Sequence, residues 1–113
     1  MVRIEAQGIK TFEAQEGERL VLTIEDAGID ILHRCGGHAR CTTCRVEILD
    51  GDAGEMTAQE RARLAREQEL SPNTRLSCQV LVQGPLEVRV LRRLSQTDMS
   101  DAGPRPDATI PAE

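Results

Sequence analysis

The sequence predicts an α+β domain: a mixed sheet of about five strands with one main helix and a second short one. Three observations predict it. Short stretches in which apolar and polar residues alternate recur from Val2 to Leu91. Two stretches between them have helical spacing and recognisable end signals. Aromatic residues are nearly absent, with Phe12 the single Phe and no Tyr or Trp. A core must then be assembled from Val, Ile and Leu, which modestly favours strands. At 113 residues the chain holds one domain and has no length for a second core.

Taken in order, Val2, Ile4 and Ala6 share one face until Gly8 interrupts them, and a second run, Ile9 to Ala14, follows at once. These read as an antiparallel hairpin with a tight turn near Gly8. Gln15-Glu16-Gly17-Glu18 breaks the alternation; Leu20, Ile24 and Ala27 then fall at helical spacing within Arg19 to Ala27, closed by Gly28. Ile29-Asp30-Ile31-Leu32 leads into a cysteine-rich loop, its apolar residues expected to pack beneath it. Beyond that loop, Arg45-Val46-Glu47-Ile48-Leu49 alternates as a strand and stops at Asp50-Gly51-Asp52.

Thr57-Ala58-Gln59-Glu60 matches a capping box, so a helix is expected from about Ala58 to Glu69. Ala58, Ala62 and Ala65, with Leu64 beside them, are expected toward the core, and Arg61, Arg63, Arg66, Glu67 and Glu69 toward water. Leu70-Ser71-Pro72-Asn73 stops that helix, and Thr74 to Val82 reads as a strand with Cys78 inside it. Gln83-Gly84-Pro85 turns the chain into a last strand, Leu86 to Leu91; Arg89, Arg92 and Arg93 are expected to pair with nearby acids. The domain is expected to span residues 1–94. From Ser95 to Glu113, polar residues with Pro104, Pro106 and Pro111 show no periodicity, which predicts a disordered or loosely packed tail.

The chemistry concentrates in Cys35-Gly36-Gly37-His38-Ala39-Arg40-Cys41-Thr42-Thr43-Cys44, with a fourth cysteine, Cys78, much later. Cysteine, five residues, cysteine, two residues, cysteine, then a long gap and a last cysteine is close to the ligand pattern of a plant-type 2Fe-2S cluster. Four thiolates and two sulfides gather negative charge, so the loop must turn backbone N–H groups inward. Gly36 and Gly37 permit the positive φ angles such a wrap demands. Thr42 and Thr43 can offer hydroxyl donors to sulfur or to the loop backbone.

Other uses of four cysteines fit less well. Structural zinc sites usually have two paired knuckles, whereas Cys41 and Cys44 form the single C-x-x-C here. A thioredoxin-like pair would open a helix, but a strand follows Cys44. A disulfide framework needs an oxidising compartment, and Met1-Val2-Arg3-Ile4-Glu5 has no apolar signal-peptide core. His33 and His38 invite comparison with histidine-ligated clusters, yet four cysteines already satisfy the site.

Cys35-Gly36-Gly37, Arg40-Cys41-Thr42-Thr43-Cys44-Arg45-Val46 and Arg75-Leu76-Ser77-Cys78-Gln79 together resemble the 2Fe-2S ferredoxins of the β-grasp fold. The five-residue first gap is similar to the vertebrate and bacterial hydroxylase-type branch. The double glycine and Arg40 also resemble short bacterial ferredoxins and the ferredoxin-like domains fused to nucleotide cyclases and corrinoid-activating proteins. The resemblance covers about the first 93 residues. It implies a β-grasp fold, a 2Fe-2S cluster ligated by Cys35, Cys41, Cys44 and Cys78, and an electron carrier. The partners it implies are transient: a flavin-containing reductase as donor, and an oxygenase or other redox enzyme as acceptor. Hydroxylase-type ferredoxins carry an acidic docking surface on the second helix; the arginines here depart from that, so partner recognition does not carry over.

The formal charge of −5 is mild, nearly balanced through Leu94 and supplied mostly by the tail. Nothing resembles a basic nucleic-acid patch, and no apolar run is long enough to cross a bilayer, so a cytoplasmic, soluble chain, favoured as a monomer, is expected. Arg34, Arg40 and Arg45 make the cysteine loop locally basic. Two readings stand side by side: these arginines raise the reduction potential above the roughly −400 mV of plant-type ferredoxins, or they point to water and are screened. The expected function is one-electron transfer without catalysis, since no cysteine is left over as a nucleophile. The alternative is a redox-sensing regulatory module acting through protein contacts.

Overall fold

The computed structural model describes residues 1–33, 44–67, 70–97, 103, 105–108 and 110. Strands β1 (Val2–Ala6) and β2 (Lys10–Ala14) form the expected hairpin, with Ile4 opposite Phe12. The turn closes with Ile9 N–H donating to the Ala6 carbonyl at 2.9 Å, and Gly8 takes a φ of 79°, which a side chain would resist.

Helix α1 (Leu20–Asp26) buries Leu20, Val21 and Ile24 completely. It ends in a Schellman motif: Gly28, at φ 88°, donates to Glu25 O, and Ile29 N–H reaches back to Ile24 O. Strands β3 (Arg45–Asp50), β4 (Thr74–Leu76) and β5 (Leu86–Val90) complete a five-stranded sheet in the order β2-β1-β5-β3-β4. β1 and β5 run parallel and every other pair is antiparallel. Hairpin, helix and a parallel return strand beside β1 make the mixed-sheet β-grasp that the sequence predicted. Ile4, Val46, Leu76 and Val88 from the sheet meet Leu20, Val21 and Ile24 of α1, with Ile31 and Val80 closing the same core. Phe12 is only partly buried, so among the described residues the core is built from aliphatic side chains with Cys44 and Cys78.

Two elements differ from expectation. Helix α2 (Ala58–Leu64) is shorter than predicted, and the turn after it uses Arg66 N–H to Arg63 O and Glu67 N–H to Leu64 O. Its inward face is not the alanine stripe: Ala58, Ala62 and Ala65 are exposed, while Glu60 is fully buried. Glu60 faces inward because Arg75 and the Leu76 N–H both bind its carboxylate. The Thr57 hydroxyl still caps the helix by accepting from Glu60 N–H at 3.1 Å.

The predicted strand Thr74 to Val82 stops at Leu76, and Cys78 lies in a 3-10 turn, Ser77–Gln79. The ladder with β3 makes its last bond from Ser77 N–H to the Cys44 carbonyl at 3.2 Å, and the Ser77 hydroxyl donates to the same oxygen at 2.7 Å. After the turn the chain runs beside the start of α1, with Leu20 N–H to Val80 O and Val82 N–H to Glu18 O. Gly51 allows β3 to end against the Pro85 turn: a Cβ there would sit 2.3 Å from the Pro85 carbonyl oxygen.

Past β5 the chain turns at Leu94–Gln96, where Asp30 accepts from Arg93 and from Ser95 N–H. Burial alone would raise the Asp30 carboxyl, but the Ser95 donors and Arg93 outweigh it and hold the group at about 2. Within the stretch expected to form a tail, Arg105 pairs with Glu25 and Asp26 of α1, and Pro106 is buried.

Candidate metal centre

Two of the four candidate ligands lie within the described residues, and they meet. Cys44 is the last residue before β3, and Cys78 is the central residue of the 3-10 turn; both are buried and neither is in a disulfide. Cys35 and Cys41, like Arg34, Gly36, Gly37, His38, Arg40, Thr42 and Thr43, lie outside the described residues. Among the described residues no group of three or more His, Cys, Asp or Glu converges as a metal site.

The pairing of Cys44 with Cys78 follows from the register of β3 with β4. Arg45 sits opposite Leu76, so the residue before β3 and the residues after β4 leave the sheet together at one end. Cys44 S–H donates to the Cys78 sulfur, and that bond together with burial pushes the Cys44 thiol well above its ordinary range. Buried thiols in contact are poor nucleophiles. They are good soft ligands, because a bound metal deprotonates a coordinating thiol outright. The chemistry of this donor pair therefore fits an iron-sulfur group.

The backbone around this pair is held by polar residues rather than by apolar packing alone. Arg19, with no exposed surface, donates from Nε and Nη2 to the Cys78 carbonyl at 2.9 and 2.7 Å, and from Nη1 to the Asp107 carbonyl at 2.8 Å. Gln79 directs Nε2 at the Cys78 sulfur at 3.7 Å, while its Oε1 accepts from the Thr57 hydroxyl at 2.7 Å. An N–H donor to a ligand sulfur is the kind of outer contact that tunes a metal site. Arg75 holds Glu60 bidentately at 2.8 and 3.0 Å and also donates to the Gly54 carbonyl. Glu60 in turn accepts from Leu76 N–H at 2.8 Å, two residues before Cys78.

Sequence reasoning missed Arg19, Glu60 and Gln79 as supports of the site. Only Glu60 carried a signal, its place in Thr57-x-x-Glu60, and that signal pointed to a different role. His33, by contrast, is buried with its Nε2 2.7 Å from the Glu25 carboxylate of α1.

Comparison with known proteins agrees with this geometry. A family model described as a 2Fe-2S iron-sulfur cluster binding domain matches residues 4–83. A 2Fe-2S ferredoxin-5 of Aquifex aeolicus is 37% identical over 79 residues, covering 68% of this chain and 82% of that protein. Among solved structures, an ISC-like 2Fe-2S ferredoxin from Pseudomonas putida superposes with a TM-score of 0.68 at 25% identity, covering 80% of this chain and 91% of that one. Putidaredoxin in a covalent complex with putidaredoxin reductase gives a TM-score of 0.61 at 29% identity, covering 81% and 98%. The chain also matches a component of the Na(+)-translocating NADH-quinone reductase of Methylococcus capsulatus, 30% identical over 89 residues. That match covers 79% of this chain and 21% of the component, so the chain spans about a fifth of that relative's length.

Proposed function

The chain belongs to the 2Fe-2S iron-sulfur cluster binding domain family, and from that membership we propose that it is a one-electron carrier that moves electrons between a reductase and a redox-enzyme acceptor. Its cofactor is a 2Fe-2S cluster, which supplies a one-electron couple. Cys35, Cys41, Cys44 and Cys78 are its four ligands. The observation that carries this reading is the buried contact of Cys44 with Cys78, two cysteines far apart in sequence brought together at one end of the sheet.

The chain's own residues hold and orient. Ser77 and Arg19 fix the Cys44 and Cys78 carbonyls, so the thiolates stay in place when charge is added or withdrawn. Gln79 offers its N–H to the Cys78 sulfur. Such a donor favours the more negative, reduced state and raises the potential. No helix among the described residues is long and apolar enough to cross a membrane. The chain carries electrons rather than transforming a substrate, acts in the cytoplasm, and meets a flavin-containing reductase and an oxygenase or comparable acceptor through brief contacts. The putidaredoxin complex with its reductase supports the donor half of this reading.

The test is made on protein purified without air. Visible absorption, two irons and two sulfides per chain, and an electron paramagnetic resonance signal appearing on one-electron reduction are expected. Reduction and reoxidation should be reversible with no change in oligomeric state. Protein devoid of iron and acid-labile sulfide after expression with both in supply overturns the assignment.

A further inference from the structure

The acidic balance of the chain hides a local exception beside Cys44. Where β3 begins and β5 ends, a groove of about 310 Å³ is lined by Arg45, Leu91, Arg92, Arg93, Gln96 and Thr97. No carboxylate is among these residues. Among the described residues, the groups nearest the groove are four guanidiniums, Arg45, Arg63, Arg92 and Arg93, and two carboxylates: Glu67, which meets Arg45 at 3.7 Å and Arg63 at 3.1 Å, and Asp30, which holds Arg93. The surplus is positive in a chain whose formal charge is −5.

Position gives the groove its meaning. Arg45 follows Cys44 directly, its carbonyl accepts from Leu91 N–H at 3.4 Å, and the Cys44 carbonyl is pinned by Ser77. Whatever docks there lies one residue from a cluster ligand. Guanidiniums match carboxylates in planar, two-pronged contacts, and Gln96 places an amide beside them.

We propose that this groove docks an acidic segment of a redox-protein partner, with the partner's carboxylates seated between Arg45, Arg92 and Arg93. The inference rests on the electron-carrier reading and adds the polarity of recognition to it. A small, charge-guided contact suits a partner that must arrive, exchange one electron and leave. It also reverses the polarity expected of an acidic carrier, which would seek a basic partner surface.

The experiment uses the cluster-loaded protein and a fluorescently labelled hexaglutamate peptide, followed by anisotropy under anaerobic conditions. Saturable binding that weakens as salt is raised is expected, with hexalysine binding more weakly at the same ionic strength. Arg92→Glu reverses an exposed charge in the groove and should weaken hexaglutamate binding roughly tenfold, on the scale of exposed ion pairs lost and replaced by repulsion. Arg3→Glu makes the same change in net charge near the opposite end of β5, where Arg3 lies close to Leu86, and should leave binding within about twofold, since distant exposed charges are screened. Equal weakening by both variants, or inorganic phosphate competing as well as hexaglutamate at equal charge concentration, overturns the proposal. Reversible bleaching of the same samples by dithionite is recorded in parallel. Its loss would sink the carrier reading, whereas a reversible cluster with no peptide selectivity would sink the groove alone.

Discussion

Removing the Glu60 carboxylate tests how the Cys78 turn is built. Glu60 is fully buried, and its two oxygens hold three donors: Arg75 Nε at 2.8 Å, Arg75 Nη2 at 3.0 Å and Leu76 N–H at 2.8 Å. In Glu60→Ala the Arg75 guanidinium keeps the Gly54 and Glu55 carbonyls but loses its counter-charge, and the Leu76 N–H loses its acceptor. Breaking a buried ion pair by deleting one partner costs about 3–5 kcal/mol, most of it from the charge left behind. A domain of this size is stable by roughly 5–15 kcal/mol, so the loss is a large fraction of the whole.

The same logic predicts a rescue. Glu60→Leu combined with Arg75→Met removes both charges and should recover most of the loss, leaving a deficit of roughly 1–2 kcal/mol from the unpaired Leu76 N–H. The assay is anaerobic urea denaturation read by far-ultraviolet circular dichroism, with visible absorbance following the cluster. Glu60→Ala should shift the midpoint sharply and bleach faster, because Leu76 leads directly into the Cys78 turn. A single variant within about 1 kcal/mol of the parent, or a double variant no better than Glu60→Ala, would refute the argument that a buried counter-charge organises this turn.

Three further outcomes follow from particular contacts. The Asp30 carboxyl sits at about 2 in the folded chain, below its unfolded value of about 3.9, so it adds stability that is fully present above about pH 4 and is lost as pH falls toward 2; Asp30→Asn should flatten acid denaturation curves over that window. Arg19→Met should lower the thermal midpoint, since the Cys78 carbonyl loses both donors and an unsatisfied buried group costs about 1–3 kcal/mol; an unchanged midpoint would show that water replaces the guanidinium. Ile24→Ala leaves a cavity between α1 and the sheet and should cost about 2–5 kcal/mol in chemical denaturation.

Much of the fold was legible because its local signals agree with its tertiary ones. Gly8 and Gly28 mark real left-handed positions, and the strands alternate as their burial requires. The errors cluster around Cys78. Alternation carried the predicted strand through Val82, because apolar spacing cannot report that the chain leaves β3 in a 3-10 turn at Ser77–Gln79 and then runs beside the start of α1. The face of α2 was misjudged for a related reason: helical spacing put the alanines inward and Glu60 was read only as a capping residue, because its buried partner Arg75 is distant in sequence. The spacing of the cysteines was legible from chemistry alone. Their convergence is visible for Cys44 and Cys78, while Cys35 and Cys41 lie outside the described residues.

These misses share a physical cause that bears on function. A strand that ends in a 3-10 turn inside the protein leaves backbone groups without ladder partners, and each must be satisfied locally. Here Arg19 takes the Cys78 carbonyl and Glu60 takes the Leu76 N–H, while the Ser77 hydroxyl adds a second bond to the Cys44 carbonyl. A chain with one aromatic residue has few bulky side chains with which to brace such a turn. Buried polar residues brace it instead, and they specify one geometry because each donor has a fixed acceptor. In the proposed electron-carrier role that rigidity is useful: Cys44 and Cys78, held by their own carbonyls, move little when the charge beside them changes by one.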